Sequence, residues 1–330
     1  MPNGILVVDK PMGWTSQDVA AKLRGVFREK RVGHGGTLDP MATGVLPIFL
    51  GRATRAVPFF EHADKVYEAT LRLGLVTDTQ DITGRVLETH PVDITLKQLE
   101  AALASFRGEI RQIPPMYSAI KVNGQKLYAL ARKGREVERE PRPVTIFELE
   151  LVGSDPLIAP VFAVGNDAAA TQRQEASGKA FPLGGRRPSA HTGADEGTLD
   201  ISLRVHCAKG TYVRTLCHDI GAALGCGGCM AALRRTRAGR YGVEQAHTLE
   251  EILAAPEPQR LLLPTDSLFD DRPALTVNAS AERKLRNGAP VSTLNAVDGE
   301  YRVYAPAGDF LALCAVSNGE LRTVRSFFAL

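Results

Sequence analysis

The sequence has few cysteines, a single tryptophan and no long apolar run, and these shortages exclude several classes of protein. Five cysteines in 330 residues is an odd number in a chain without a predicted secretion signal, so a disulfide framework is not expected. The apolar run at residues 5–8 is too short for the apolar region of a signal peptide. No stretch approaches the ~20 apolar residues of a membrane-spanning helix. We therefore expect a cytoplasmic protein without a membrane segment.

Metal-binding patterns are equally sparse. Cys226 and Cys229 form a CxxC pair, but no second pair follows at the spacing that is typical of a structural zinc site. Cys207, His206 and His218 would have to complete such a site from separate positions. We expect no metal.

Length and charge indicate a multidomain globular protein. The chain is too long for one ordinary domain, and its 44% apolar and 23% charged residues are usual for a folded protein. The net charge of +3 is small, but basic residues cluster at 24–31, 121–142 and 234–240. Locally basic surface of this kind suits a phosphate backbone. The alternative for each cluster is a solvated charged face.

The most distinctive stretch is the glycine-rich segment GHGGTLDPMATGVLP at residues 33–47. Its four glycines permit positive φ and close approach of a second backbone, so we expect a shaped loop. It supplies the imidazole of His34 and the carboxylate of Asp39, and apolar residues follow directly. A polar group at the edge of a buried segment is a candidate reactive group. Taken alone, Asp39 before Pro40 is equally typical of a helix or turn cap.

Apolar spacing predicts the elements around this loop. We expect a strand at residues 5–8 and a helix capped by Ser16. Residues 64–74 alternate as a half-buried strand, with Tyr67 at the start of its apolar face. A core tyrosine is the structural alternative to a functional one there. A capping-box pattern predicts a helix over residues 95–106.

The amino-acid composition changes twice in the second half of the chain. Predicted strands at 145–152 and 199–207 enclose residues 153–198, which contain few large apolar side chains. This segment cannot bury much surface, so we expect a flexible insertion in a hairpin that a short turn could replace without loss of activity. From residue 271, short strands alternate with Asn-Gly and Asp-Gly turns, which predicts a small β domain over 271–330.

Five motifs, taken in order, resemble the TruB-type bacterial tRNA pseudouridine synthases. They are KPMGWTS at 10–16, GHGGTLDP at 33–40, YSAIKVNG at 117–124, KGTYVRT at 209–215 and LRRTRAG at 233–239. Their order and spacing match over nearly the whole chain. Residues 271–330 resemble, more loosely, the PUA-like RNA-binding domain of these enzymes. The long segment 153–198 departs from the family, in which this hairpin is short.

The resemblance implies an α+β fold. Residues 1–270 would form a pseudouridine synthase catalytic domain, with a mixed, largely antiparallel central sheet flanked by helices, and 271–330 a PUA-like domain. It implies an enzyme that binds the T-stem-loop of tRNA and isomerises uridine 55 to pseudouridine. We expect a monomer. The N-glycosidic bond breaks and the ribose rejoins C5 of the same base, which must flip out of its stack. No cofactor is expected.

The resemblance also assigns catalytic roles. Asp39 matches the nucleophile, and a carboxylate can trap a developing oxocarbenium-like sugar or add to the pyrimidine ring. Tyr67 matches the tyrosine that stacks on the flipped base and assists proton transfer. Arg214 matches the arginine that pairs with the catalytic aspartate, a partner that Asp39 needs because burial alone would raise its pKa.

Three further residues are assigned to substrate binding. His34 matches the histidine that contacts the T-loop where the base has left, and Tyr212 and Leu233 match residues that line the uridine pocket. A non-catalytic tRNA-binding or tRNA-folding protein on the same scaffold is the alternative function. A nucleoside hydrolase or glycosidase is a third hypothesis, but it would require a second acid or a metal cluster beside Asp39.

Overall fold

The computed structural model describes residues 2–118, 120–122, 124–152, 197–293 and 296–328. The predicted insertion 153–198 lies outside the described residues apart from its last two, so the flexible hairpin stays a prediction. The chain divides into two compact units. Unit 1 contains Met1–Glu68, His206–Thr211 and Ala232–Leu330, and unit 2 contains Ala69–Val205 and Tyr212–Ala231. No helix of the described ranges is long and apolar enough to cross a membrane.

The helices are short and the strands are numerous. The helices are α1 Ser16–Phe27, α2 Val57–Phe60, α3 Leu96–Ser105, α4 Leu127–Ala131, α5 Val213–Ala223, α6 Leu249–Ala254 and α7 Ala279–Arg286. The strands up to the insertion are β1 Gly4–Lys10, β2 Val32–His34, β3 Thr43–Leu50, β4 Lys65–Leu73, β5 Leu75–Thr77, β6 Val86–Thr89, β7 Gly108–Gln112, β8 Lys121–Val122, β9 Gln125–Lys126 and β10 Arg142–Leu151. Those after it are β11 Leu199–Cys207, β12 Gly228–Ala238, β13 Tyr241–Gly242, β14 His247–Thr248, β15 Ala274–Thr276, β16 Val291–Ser292, β17 Gly299–Tyr304, β18 Phe310–Ser317 and β19 Glu320–Ser326.

The first sheet of unit 1 is mixed, with strands in the order β14-β1-β3-β12. β1 pairs antiparallel with β3, whereas β14 and β12 pair in parallel with β1 and β3. β2 also pairs with β3, with His34 opposite Ile48. Every residue of β3 from Gly44 to Leu50 is buried, so both faces of the sheet are covered at this strand. The glycine-rich loop therefore begins and ends on strands anchored in the core.

Unit 1 also contains a five-stranded sheet in the order β15-β17-β18-β19-β16. This sheet corresponds to the small β domain predicted for 271–330, although the predicted boundary at residue 270 stays a prediction. An aromatic cluster joins it to the first sheet, and ring centroids lie 5.2 Å apart for Phe310 and Phe327 and 5.9 Å apart for Phe269 and Phe327. Arg52 adds a hydrogen bond of 2.6 Å from Nε to the Phe327 carbonyl.

Unit 2 contains the strand order β4-β11-β10-β7 and two small hairpins, β5–β6 and β8–β9. The chain passes from one unit to the other within β4, β11 and β12. Helix α3 begins with the predicted capping box. The side chains of Thr95 and Gln98 each accept a hydrogen bond from the backbone N–H of the other residue. In the basic segment 121–142, Leu127 and Leu130 are buried while most of the lysines and arginines are exposed.

Candidate active site

The glycine-rich loop leaves β2 at His34, turns at Asp39 and continues as β3. The Gly35 N–H donates to the Pro47 carbonyl at 2.8 Å, and the Ala42 N–H donates to the Asp39 carbonyl at 3.0 Å. No helix follows Asp39, so this residue starts a turn rather than a helix. The side chain is partly exposed. Backbone hydrogen bonds on both sides of Asp39 therefore hold its carboxylate at the edge of the buried segment.

Ser16 holds Leu38, the residue before Asp39, in place. The prediction that Ser16 caps α1 is therefore wrong. Thr15, not Ser16, caps α1 and forms a capping box with Asp18. The Ser16 hydroxyl instead accepts the Leu38 N–H at 2.8 Å and donates to the Leu38 carbonyl at 3.2 Å. Both Ser16 and Leu38 are buried. One hydroxyl thus satisfies both backbone groups of the residue that precedes the candidate nucleophile.

Lys10 ties a second segment to the same loop. Its ammonium is fully buried and donates to the carbonyls of Pro11 at 2.9 Å, Trp14 at 2.7 Å and Pro40 at 3.3 Å. The Gly13 N–H donates to the same Pro40 carbonyl at 2.8 Å. The turn after β1 and the loop of Asp39 are therefore held together by hydrogen bonds at one carbonyl.

The electrostatics of Lys10 place it near Asp39. Burial lowers the pKa of the Lys10 ammonium to about 8, the negative charge of Asp39 opposes this shift, and the Arg235 guanidinium adds to it. At neutral pH, Lys10 stays cationic. A buried cation within electrostatic range favours the ionised form of a carboxyl, which is the form that a nucleophile requires.

Arg235 is a candidate site residue, although its place in the basic cluster 234–240 predicted an exposed position. It is only 1% exposed, and it donates from Nε to the Val45 carbonyl at 2.7 Å and from Nη2 to the Gly36 carbonyl at 3.2 Å. It lies opposite Gly44 in the parallel pair of β12 and β3. Leu233 and Arg235 are both buried on one face of β12, so the period of two residues was the signal that could have identified Arg235.

Tyr67 lies in the same unit, at the buried start of β4. Burial raises the pKa of its phenol, and a hydrogen bond from Arg235 opposes the rise. The charge of Asp39 raises it further, which places this carboxylate within electrostatic range of the ring. Because a guanidinium can only donate, the Tyr67 oxygen accepts from Arg235 and keeps its own O–H as a donor. The phenol is neutral at physiological pH.

His34 and Leu233 complete the group in unit 1. Burial lowers the pKa of the His34 imidazole, and the charge of Arg235 lowers it further. Within the described ranges, no group hydrogen-bonds the buried Nδ1 of His34. Leu233 is 9% exposed on β12, beside the residue that pairs with Thr43. A neutral imidazole and an apolar side chain suit contacts with uncharged parts of a substrate.

Arg214 and Tyr212 belong to unit 2, around the start of α5. The buried Arg214 guanidinium lies 3.5 Å from Asp81 Oδ2 and donates to the Tyr117 carbonyl at 2.9 Å. The Tyr212 N–H donates to Gln112 Oε1 at 3.0 Å. The predicted pairing of Arg214 with Asp39 concerns residues of different units and stays a prediction.

Asp81 is a second residue that the sequence analysis did not single out. It is 4% exposed, and its Oδ1 accepts from the Thr83 N–H at 3.0 Å and from the hydroxyls of Thr83 and Thr79. A carboxylate saturated in this way is rigid and can orient Arg214. Asp81 lies in the polar run 77–83, and nothing in the composition of this run distinguishes Asp81 from Asp78.

The basic cluster at 234–240 is partly neutralised within unit 1, so its role as an RNA-binding surface stays a prediction. Apart from the buried Arg235, its arginines face carboxylates. The pairs are Arg234 with Asp9 at 2.8 Å, Arg237 with Asp64 at 3.2 Å and Arg240 with Asp270 at 3.0 Å. Charge pairing inside unit 1 leaves these guanidinium groups less available to a polyanion than the sequence cluster indicates.

The cysteines are not arranged as ligands. Burial raises the pKa of the Cys226 thiol and raises that of Cys229 to about 11, so both are protonated at neutral pH. Across the ranges described above, no three His, Cys, Asp or Glu side chains are grouped in a way that could hold a metal ion.

Comparison with solved structures identifies the fold. The structure of a Cbf5-Nop10-Gar1 complex aligns with a TM-score of 0.64 and 23% identity, and covers 99% of this chain and 85% of that one. An H/ACA ribonucleoprotein bound to a substrate RNA containing 2'-deoxyuridine aligns with the same TM-score at 21% identity, covering 99% and 86%. These alignments confirm the predicted fold class: a mixed sheet with flanking helices and a C-terminal β domain.

Sequence comparison identifies the family. The family model of the TruB family pseudouridylate synthase N-terminal domain matches residues 24–164, and that of the tRNA pseudouridylate synthase B C-terminal domain matches 214–270. A tRNA pseudouridine synthase B from Syntrophomonas wolfei is 40% identical over 98% of this chain and 96% of its own length. One from Ralstonia pickettii is 41% identical over 87% and 79%. The chain therefore belongs to the TruB family of pseudouridine synthase enzymes.

Proposed function

We propose that this enzyme isomerises uridine 55 in the T-loop of tRNA to pseudouridine, with Asp39 as its nucleophile. One observation carries the proposal. Asp39 lies partly exposed in a loop fixed at Leu38 and Pro40, within electrostatic range of the buried Lys10 ammonium and the neutral Tyr67 phenol. The relatives that match nearly the whole chain carry the name tRNA pseudouridine synthase B, which supports tRNA as the substrate.

The reaction requires no atom from outside the substrate. The bond between N1 and C1′ breaks, a bond between C5 and C1′ forms, C5 loses a proton and N1 gains one. Asp39 attacks the nucleotide and later leaves it, so the carboxylate is regenerated. A single carboxylate suffices because no water is activated, in contrast with the pair of acids in most glycosidases.

Tyr67 and Arg235 prepare the site for an uncharged base. By the family resemblance, the flipped uracil would stack on the phenol ring, and the raised pKa keeps the O–H as a donor. Arg235 fixes the orientation of that hydroxyl while its other donors bind loop carbonyls. A ring that is held in place before the substrate arrives reduces the entropic cost of binding the flipped base.

The remaining assignments rest on the family resemblance and on the chemistry of the side chains. The neutral His34 would contact the T-loop at the place that the base has left, and Leu233 and Tyr212 would line the uridine pocket. Arg214 would pair with Asp39. The uridine must leave its stack for Asp39 to reach it, so base flipping is part of the proposal. We also propose that the protein acts as a monomer. Sedimentation of the protein, first without and then with tRNA, would measure its oligomeric state.

The decisive experiment is incubation of the purified protein with an unmodified tRNA transcript, followed by mapping of pseudouridine. We expect one product, at position 55. Asp39→Asn should abolish it while tRNA affinity changes by no more than a few fold, because phosphate contacts supply much of the affinity for RNA. Asp18→Asn, an exposed carboxylate of the α1 cap, is the matched control.

Two results would contradict the proposal. Full turnover by Asp39→Asn would exclude Asp39 as nucleophile. Binding of tRNA by the wild-type protein without any pseudouridine would support the alternative of a non-catalytic tRNA-binding protein.

A further inference from the structure

The turn between β1 and α1 exposes two large apolar side chains beside the loop of Asp39. Met12 is 62% exposed and Trp14 is 36% exposed. Trp14 is the only tryptophan of the chain. Among the described residues, the structure records no hydrogen bond or ring contact for its indole. We call Met12 and Trp14 the Met12–Trp14 platform.

Isolated exposed apolar side chains are normal on protein surfaces, but the Met12–Trp14 platform stands on a backbone that is fixed in place. Trp14 follows Gly13, which has φ of +84°, a left-handed conformation that favours glycine. The Gly13 N–H donates to the Pro40 carbonyl at 2.8 Å, and the Trp14 carbonyl accepts from buried Lys10 at 2.7 Å. The backbone that carries the indole is therefore fixed to the residue after Asp39.

Exposed residues lie on both segments that meet at the Pro40 carbonyl. Met12, Gly13 and Trp14 are exposed on one segment, and Pro40 is exposed on the other. The two segments are joined at the Pro40 carbonyl, which accepts from both Gly13 and Lys10. A nucleotide whose sugar reaches Asp39 therefore has neighbours that pass close to Pro40 and the platform.

We propose that the Met12–Trp14 platform packs against an unpaired base of tRNA adjacent to the target uridine, with the Trp14 indole stacked on that base. This inference rests on the proposed function. An aromatic ring suits this role because every base presents a π face, so stacking does not depend on sequence. The preformed turn lowers the cost of ordering the ring on binding. Trp14 is thus a binding residue, and it takes no part in the chemical step.

The single tryptophan makes the test specific to this site. Intrinsic tryptophan fluorescence of the Asp39→Asn protein, which would bind tRNA without turnover, would be followed during titration with an unmodified tRNA transcript. We expect the emission to be quenched and its accessibility to acrylamide to fall. A fully base-paired RNA duplex of similar length, which offers no unstacked base, should produce neither change at saturation.

Variants then test whether the contact contributes to binding. Trp14→Ala should weaken tRNA binding roughly ten-fold or more, as expected for the loss of one stacked base, and raise KM without an equal loss of kcat. Trp14→Phe keeps a π face and should retain most of the affinity. Thr15→Ala, one residue further along, is the control for a change in this turn.

Unchanged fluorescence at saturating tRNA would overturn the proposal, and so would unchanged affinity of Trp14→Ala. Equal loss of affinity in Trp14→Phe and Trp14→Ala would exclude stacking. These results are distinguishable from failure of the proposed function, which the mapping of pseudouridine in the wild-type protein tests separately.

Discussion

Ser16→Ala tests whether the position of Asp39 depends on a hydrogen bond from outside its own loop. The substitution removes the hydroxyl that binds the Leu38 N–H at 2.8 Å and the Leu38 carbonyl at 3.2 Å. Leu38 is 3% exposed, so water does not readily replace either partner. Each buried group left without a partner costs about 1–3 kcal/mol. We therefore expect the free energy of unfolding to fall by at least about 2 kcal/mol.

The effect on catalysis should exceed the effect of destabilisation alone. Leu38 is the covalent neighbour of Asp39, and a reacting group displaced by about 1 Å can lose about 10²-fold in rate. We expect kcat of Ser16→Ala to fall roughly ten- to hundred-fold, while KM for tRNA changes little. Single-turnover formation of pseudouridine, at a temperature at which circular dichroism shows the variant folded, would measure this.

Thr15→Ala is the matched comparison, because it removes the cap of α1 without touching Leu38. Loss of such a cap costs about 1 kcal/mol, and kcat should stay near the wild-type value. Equal kcat for Ser16→Ala and Thr15→Ala would refute the reasoning, since it would show that the tie to Leu38 does not position Asp39.

Three further predictions concern buried charges. The pKa of Lys10 is about 8 in the folded protein against an ordinary value of 10.5, so the unfolded chain binds more protons between these two pH values. Lys10 therefore makes the free energy of unfolding rise with pH in this range, by up to about 3 kcal/mol. Urea unfolding of Lys10→Met at several pH values should lack that rise. Arg235→Met leaves two loop carbonyls without a hydrogen-bond donor and should lower the free energy of unfolding by about 2–4 kcal/mol. It should also lower the rate of pseudouridine formation, and wild-type activity would exclude a role of Arg235 at the site. Asp81→Asn removes the negative charge 3.5 Å from the buried Arg214 guanidinium and should lower the free energy of unfolding, measured in urea, by about 1–3 kcal/mol. Asp200→Asn removes the exposed partner of Arg72 and should have little effect.

Local sequence patterns predicted the regular elements well. The alternation of residues 64–74 predicted β4, and the Thr95–Gln98 pattern predicted the start of α3, because both signals act within a few residues. The cap of α1 was misplaced by one residue. Thr15 and Ser16 are both good caps, and the choice depends on Leu38, which lies 22 positions from Ser16 in sequence.

The candidate site was predictable only in part. Motif resemblance singled out Asp39 and Tyr67, and the structure places both in unit 1 within electrostatic range of each other. Lys10 and Arg235 were not singled out as site residues, because a charged side chain is normally exposed and only long-range packing reveals a buried one. Their carbonyl partners carry no signature in the sequence, since every residue has a carbonyl.

The contact between Gly44 and Arg235 has a consequence for any redesign of this enzyme. A Cβ atom at Gly44 would collide with the Arg235 carbonyl oxygen, and Gly44 has φ of +100°. Any larger residue at this position would push β12 away from β3, and it would move Leu233 and the Arg235 guanidinium together. Glycine at residue 44 therefore allows the close approach of β12 to β3 on which the positions of Leu233 and Arg235 depend. Libraries that alter substrate choice should vary the side chains of β12 and keep residue 44 as glycine.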